Sequence, residues 1–311
     1  MANTLNQLRM MTTVVADTGD LTAIERLRPV DATTNPSLIT KACNDPNLQS
    51  VLTETLTKHN NDIDKVIDDL TVYIGKEILQ RIDGRVSTEV DARLSFDTEQ
   101  TVAKALEFIQ MYEQMGIDKE RVLIKIAGTW QGIQAAKILE AQGIHCNVTL
   151  IFGLHQAIAC ADANVTLISP FVGRILDYQK RTENREIIPV TEDKGVLSVK
   201  TIYSYFKQHG YQTQIMGASF RTVDEILALA GCDLLTISPD LMDKLREMDT
   251  KIERQLFPDM SFDTIEKQQF HEQSFANALE QDSMTTELLE AGIDGFVKAR
   301  EELANKLQNL I

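Results

Sequence analysis

The chain has 311 residues, 43% of them hydrophobic and 25% charged, enough to fold as one large α/β domain or two smaller ones. Its formal charge is −15, from 46 acidic against 31 basic residues, so most of its surface repels nucleic-acid phosphates and anionic lipid. Any anionic ligand must therefore be held by local arginines.

The N-terminal MANTLNQLRMMTT lacks the basic segment and apolar core of a secretory signal, and no later run is long enough to span a bilayer, so the expected location is cytoplasmic. Cys43, Cys146, Cys160 and Cys232 are scattered without CxxC spacing, which predicts buried, reduced thiols rather than a disulfide framework or a zinc site. Asn147 and Asn164 each begin an NVT tripeptide, but a glycosylation acceptor has no meaning in a cytoplasmic chain.

Along the chain, β-branched runs bounded by turn residues predict strands at 12–17, 31–35, 85–91, 121–127, 145–152, 165–172, 213–219 and 234–239. Amphipathic stretches such as EQTVAKALEFIQMYEQMG and TWQGIQAAKILEAQG lie between them, the second ending on a glycine suited to a helix C-cap. Alternating strands and helices imply right-handed βαβ units and a parallel sheet. Eight units match an α/β fold of the (β/α)8 TIM barrel type, with active-site residues at the C-terminal ends of the strands. A doubly wound open sheet competes, but no GxGxxG follows the first strand. Additional helices are expected around 40–83 and 176–208, and the tail from about 240 holds more helical pattern than one closing helix needs, so part of it is expected to pack on the barrel. With no repeat, low-complexity segment or linker, residues 1–311 read as a single domain.

The fourth strand, RVLIKIAG, carries a lysine inside an apolar run. Alternation puts Val122, Ile124 and Ile126 on the helix-facing side and Leu123, Lys125 and Ala127 on the barrel side. The same test points further polar pairs inward near strand ends: Thr33 with Asn35, Glu89 with Asp91, Asn147 with Thr149, and Ser219 with Arg221. Asp17 and Ser169 occupy matching positions singly. An isolated Asp or Asn after a strand is most often a helix N-cap, and Ser169 or Ser219 alone carries little signal. Glu89 also reads as a structural partner for a buried cation. Lys125 is different, because burying an unpaired ammonium costs several kcal/mol and a lysine in mid-strand is seldom there for stability.

An inward lysine in an apolar site can act as a nucleophile towards carbonyls. Dehydrating the resulting carbinolamine needs a proton shuttle, for which Glu89 is the best candidate; Asp17 is placed as a second acid/base for carbon–carbon cleavage. Arg174 and Arg221, just past two strand ends, suit a phosphate. The five histidines, His59, His145, His155, His209 and His271, show no HExxH or similar spacing, so no metal is expected.

These residues resemble the transaldolase family. DATTNPSLI (31–39) is similar to its N-terminal signature and LIKIAGTWQGIQAAKIL (123–139) to its active-site lysine signature. RVSTEVDARLS (85–95), CNVTLIF (146–152), LISPFVGRI (167–175) and MGASFR (216–221) extend the match in order. The resemblance implies a class I aldolase-type barrel, dimeric and free of metal and cofactor, that transfers a dihydroxyacetone unit from sedoheptulose 7-phosphate or fructose 6-phosphate to an aldose phosphate. It implies Lys125 as the Schiff-base residue, Glu89 as proton relay through a water held with Thr149, and Asp17 as the base in bond cleavage. Thr33, Asn35, Asn147 and Ser169 would bind donor hydroxyls, Arg174, Ser219 and Arg221 the phosphate, and Phe171 would line the mouth. Gly128 stands where a serine is common, and Gly153-Leu154-His155 replaces a more usual Ser-Phe-Ala. Two rival readings share this constellation: a related aldolase that releases free dihydroxyacetone, and a non-catalytic sugar-phosphate-binding barrel.

Overall fold

The structure, a computed structural model, describes residues 3–45, 48–260 and 263–310. Eight parallel strands close into a barrel in sequence order, with β1 pairing β8 to complete the ring. They are β1 (Thr13–Asp17), β2 (Asp31–Thr33), β3 (Val86–Glu89), β4 (Val122–Ala127), β5 (Cys146–Ile151), β6 (Leu167–Pro170), β7 (Gln214–Gly217) and β8 (Leu234–Ile237). Each lies inside a predicted run. The ends are trimmed where polar residues turn to cap the next helix: Asn35, expected to end the second strand, is the N-cap of the helix after β2.

Helix α1 (Thr4–Arg9) precedes the barrel and α2 (Leu21–Leu27) follows β1. Three helices, α3 (Pro36–Ala42), α4 (Gln49–Lys58) and α5 (Ile63–Leu79), fill the connection to β3. Next come α6 (Thr98–Gln114), α7 (Trp130–Glu140) and α8 (Leu154–Asp162) after β3, β4 and β5. The β6–β7 connection holds α9 (Val172–Glu183) and α10 (Lys194–His209), while α11 (Val223–Leu227) and α12 (Pro239–Glu247) follow β7 and β8. Two helices end the chain, α13 (Glu272–Gln281) and α14 (Ser283–Gln308). The glycine expected to cap α7, Gly143, sits beyond the actual C-cap Ala141; its φ of +70° lets the chain reverse so that Ile144 N–H reaches Leu139 C=O.

The two faces of the strands separate as alternation requires. Val14, Ile124, Ile126, Val148, Ile168, Ile215, Leu235 and Ile237 belong to the main core between sheet and helices. Val15, Leu123, Leu167, Met216 and Leu234 form a separate apolar plug inside the barrel. This plug seals the barrel interior between an ionic cluster at the N-terminal ends of the strands, where Arg85 bonds Asp31 and Gln214, and the polar side chains gathered at the C-terminal ends.

One irregularity shapes that end. The β5–β6 register shifts between Thr149 and Ile151, and Leu150 takes a left-handed φ of 59°. Such a bulge re-aims a side chain. Leu150, fully buried, joins Phe152, Phe171, Ile175, Leu289, Ile293 and Phe296 in a cluster that fastens α14 to the barrel. With 26 residues α14 is about 39 Å long, and it touches α3, α5, α9, β5 and the short 3-10 turn Ala92–Leu94.

Candidate active site

A cavity of about 120 Å³ opens above the apolar plug, lined by Asp17, Thr33, Asn35, Lys125, Asn147, Thr149, Ser169, Phe171, Arg174 and Ser219. These are ten of the twelve residues singled out from the sequence. They arrive there because β-register places inward side chains of neighbouring strands level: Lys125 stands between Glu89 and Asn147, and Asp17 stands beside Thr33.

Lys125 is buried, and its Nζ lies 2.8 Å from Glu89 Oε2 in an ion pair whose side chains are 6% and 5% exposed. The same Nζ approaches Thr34 C=O at 3.4 Å and the Phe296 ring at 5.2 Å from its centroid. Glu89 lines a smaller cavity beside the main one, bounded also by Thr71, Phe108 and Arg300. Burial pushes the Glu89 carboxyl above its ordinary value, against the opposing pull of Lys125 and Arg174. Among the described residues neither Glu89 oxygen accepts an aligned hydrogen bond, and the buried Thr149 hydroxyl has no partner. Buried polar atoms normally have partners, so each of these groups has unused capacity to bind a water or a ligand.

Around them the polar wall is tied together. Asn147 Nδ2 donates to Ser87 Oγ at 3.0 Å, and its Oδ1 accepts from Ser169 Oγ at 2.6 Å. Thr33 Oγ1 donates to Asp17 Oδ1 at 3.1 Å and lies 3.3 Å from Thr236 Oγ1. Asn35 performs two tasks: its Oδ1 caps α3 by accepting from Leu38 N–H at 3.0 Å, and the residue also lines the cavity. Asp17 borders a second, wider cavity of about 540 Å³ formed by the starts of α2 and α12 and the end of α3.

The two arginines part company. Arg174 is held between rings, 5.1 Å from Phe171 and 5.8 Å from Phe296, with no carboxylate paired to it among the described residues. Burial, aided by Arg221, lowers its pKa. Arg221 lies outside the cavity: Nε and Nη2 donate to Asp177 Oδ2 at 3.0 and 2.8 Å, and Nη1 donates to Ser219 C=O at 3.0 Å. It faces a neighbouring depression of about 360 Å³ to which Arg174, Arg181 and Tyr178 also contribute. Ser219 links the two regions with a left-handed φ of 63°.

Four cavity residues were not singled out from the sequence: Met216, Ala218, Thr236 and Phe296. Alternation along LLTISP would have pointed Thr236 inward. Phe296 had no local signal, since it comes from α14, far along the chain. Among the described residues no group of three His, Cys, Asp or Glu side chains is placed to hold a metal ion, and the four cysteines are buried free thiols.

The departures at 128 and 153 have steric consequences away from the reacting groups. A Cβ on Gly128 would fall 2.7 Å from Ile151 Cδ1 and 3.1 Å from Gln156 Nε2. A Cβ on Gly153 would fall 2.5 Å from His155 Cε1, so Gly153 and the His155 ring depend on each other.

Residues 14–307 match the transaldolase/fructose-6-phosphate aldolase family model. The chain belongs to this family. Curated relatives named transaldolase resemble it along nearly the whole length: that of Methylococcus capsulatus is 53% identical across 98% of this chain and 96% of its own. That of Cellvibrio japonicus is 52% identical across 99% of both, and that of Thermosynechococcus vestitus is 53% identical across 98% of this chain and 81% of its own. Family membership accords with the closed parallel barrel and with both signatures read from the sequence.

Proposed function

We propose that the chain is a transaldolase, moving a dihydroxyacetone unit from a ketose phosphate to an aldose phosphate through a Schiff base on Lys125. The observation that carries this reading is the buried Lys125–Glu89 pair at the edge of a polar cavity. A lysine that served only to neutralise Glu89 would not also line a cavity, and exchanging the buried pair for apolar residues is often neutral or stabilising.

In this reading Lys125 Nζ attacks the donor's C2 carbonyl, and Glu89 passes protons through a water held with Thr149 as the carbinolamine loses hydroxide. Asp17 takes the C4 hydroxyl proton while the C3–C4 bond breaks, and the first aldose leaves. The electron pair stays on the dihydroxyacetone unit as an enamine, which attacks the acceptor aldehyde as the aldehyde oxygen takes a proton, and water then hydrolyses the new iminium to release the ketose phosphate and the Lys125 amine. Thr33, Asn35, Asn147 and Ser169 orient the donor hydroxyls, Phe171 closes the rim, and Arg174 with Ser219 receives the phosphate, while Arg221 supports Ser219 from the adjoining depression. We further infer a single catalytic domain acting as a cytoplasmic homodimer in the pentose phosphate pathway without a cofactor; no described helix is long and apolar enough to cross a membrane.

The test is to incubate the protein with fructose 6-phosphate, reduce with borohydride and locate the adduct by peptide mass spectrometry. A three-carbon adduct on the Lys125 peptide, lost together with turnover in Lys125→Met, is expected. Sugar-phosphate binding without an adduct would favour a binding barrel. Free dihydroxyacetone formed as fast without acceptor as transfer proceeds with it would favour the aldolase.

A further inference from the structure

A transferase of this kind faces a difficulty that barrel strands alone do not solve. Once the first aldose has left, the enamine carbon is nucleophilic, and two electrophiles compete for it. Attack on an acceptor aldehyde forms the new carbon–carbon bond, with the aldehyde oxygen taking a proton. Protonation of the same carbon by water gives the dihydroxyacetone iminium instead, and a second water then hydrolyses it, releasing free dihydroxyacetone and the lysine amine. Transfer dominates only if water is kept from that carbon.

The strand-derived wall of the cavity is rich in hydroxyl and amide groups, which attract water. Phe171, Met216 and Ala218 are apolar exceptions on that wall, but the ring that lies against Lys125 Nζ comes from elsewhere. Phe296, 8% exposed, reaches from α14 to within 5.2 Å of Lys125 Nζ and 5.8 Å of the Arg174 guanidinium, and it lines the cavity.

One face of α14 is built to hold that ring in place. Gly292, Phe296 and Arg300 recur at intervals of four residues, which puts them on the same side of a helix. At Gly292 the helix comes so close that a Cβ would lie 2.7 Å from Leu150 Cδ2 and 3.2 Å from an Arg174 Nη1. At the other end of the face, buried Arg300 pairs with Asp91 Oδ2 at 2.7 Å and Asp64 Oδ1 at 2.8 Å. Asp91 lies two residues beyond Glu89, so α14 is pinned beside the strand that carries the proton relay. The left-handed Leu150 turns its side chain into the same contact.

We propose that Phe296 is a specificity-determining residue that shields the Lys125 enamine from water, and that the Gly292–Phe296–Arg300 face of α14 positions it. The inference rests on the transaldolase reading. It makes the C-terminal helix part of what separates transfer from hydrolytic release.

The experiment measures, with fructose 6-phosphate as donor and erythrose 4-phosphate as acceptor, the ratio of dihydroxyacetone released to units transferred. Running it in D2O marks enamine protonation by carbon-bound deuterium in the released product. Because the ratio is set at one intermediate, it does not depend on how much enzyme is active. Phe296→Ala is expected to raise the ratio about tenfold or more, and Phe296→Leu, which keeps an apolar side chain and covers the case in which Phe296→Ala does not fold, to raise it less. Leu307→Ala, a core truncation at the far end of α14 away from the cavity, is expected to lower stability and leave the ratio unchanged. An unchanged ratio in both Phe296 variants, or an equal rise in Leu307→Ala, overturns the shield. If the wild-type protein gives no borohydride-trapped adduct on Lys125, the Schiff-base reading itself fails and takes the shield with it. An adduct with unchanged ratios sinks only the shield.

Discussion

Arg174 sits between the Phe171 and Phe296 rings with its donors uncommitted to any carboxylate among the described residues, whereas Arg221 spends three of its nitrogens on Asp177 and Ser219. An anion arriving in the cavity finds Arg174 pre-placed and partly desolvated, but must compete with Asp177 for Arg221, whose side chain is 40% exposed. A charge-assisted hydrogen bond is worth about 1.5–3 kcal/mol, so Arg174→Ala is expected to raise the KM for fructose 6-phosphate about 10- to 100-fold at roughly 1.4 kcal/mol per decade. Arg221→Ala is expected to raise it by less than about fivefold, since exposed ion-pair partners are screened. Steady-state kinetics with a coupled assay checks both; equal effects would mean that the phosphate lies in the outer depression. The sequence made the two arginines look alike because both follow a strand end, and only tertiary packing puts Asp177 against one of them. Lys125 was legible for the opposite reason: a cation in a strand buried on both faces conflicts with its surroundings, whichever helix lies next to it. Phe296 was invisible, since a phenylalanine on an amphipathic helix is what any core requires.

Helices α8, α13 and α14 meet around a group that the family resemblance marked as unusual. His155 is buried on α8, its ring edge-on to Phe275 of α13 at 5.4 Å and to Phe270 at 6.2 Å, with Nε2 unpartnered among the described residues. Gly153 leaves room for that ring. Burial lowers the His155 pKa, opposed by Asp282 at the start of α14, so the folded protein favours neutral imidazole. The sign follows: this stability is fully present above the ordinary histidine value near 6.5 and is lost as pH falls through the lowered folded value, because unfolding then takes up a proton. Thermal melts from about pH 7 down to pH 5 are expected to show a steeper loss for the wild-type protein than for His155→Leu, which fills the same space without a titrating group. Parallel slopes would mean that His155 is not what makes this packing acid-sensitive. At this scale the sequence was informative about elements and silent about their partners. All eight strands were readable from β-branched content between turn residues, even β2 (Asp-Ala-Thr) and β3 (Val-Ser-Thr-Glu), which are not apolar runs. The apolar stripe of α14 shows that one face is buried, but the 3.6-residue period does not say against which surface. That surface, the barrel mouth, is created by a bulge at Leu150 and by register, neither of which has a local sequence signature.

The whole molecule carries a net charge of −15, while the proposed substrates carry a phosphate. At long range the protein repels its own substrate; at short range Arg174, Arg181 and Arg221 gather on one rim of the site. These two fields respond differently to salt. The Debye length is about 30 Å at 0.01 M and about 8 Å at 0.15 M, so added salt removes the diffuse repulsion first. The attraction to buried Arg174 acts over a few ångströms through a medium from which water is largely excluded, and is screened less. Raising ionic strength from about 10 to 150 mM should therefore increase kcat/KM for fructose 6-phosphate, by roughly two- to fivefold if association contributes to the rate. An unphosphorylated acceptor such as glyceraldehyde, which carries no charge, should show no such rise under the same conditions. The arginine rim competes with this expectation, and the measured slope decides between them. A fall in kcat/KM with salt would show that three arginines on the rim outweigh the acidic excess spread over the remaining surface, and that capture is steered locally rather than hindered globally.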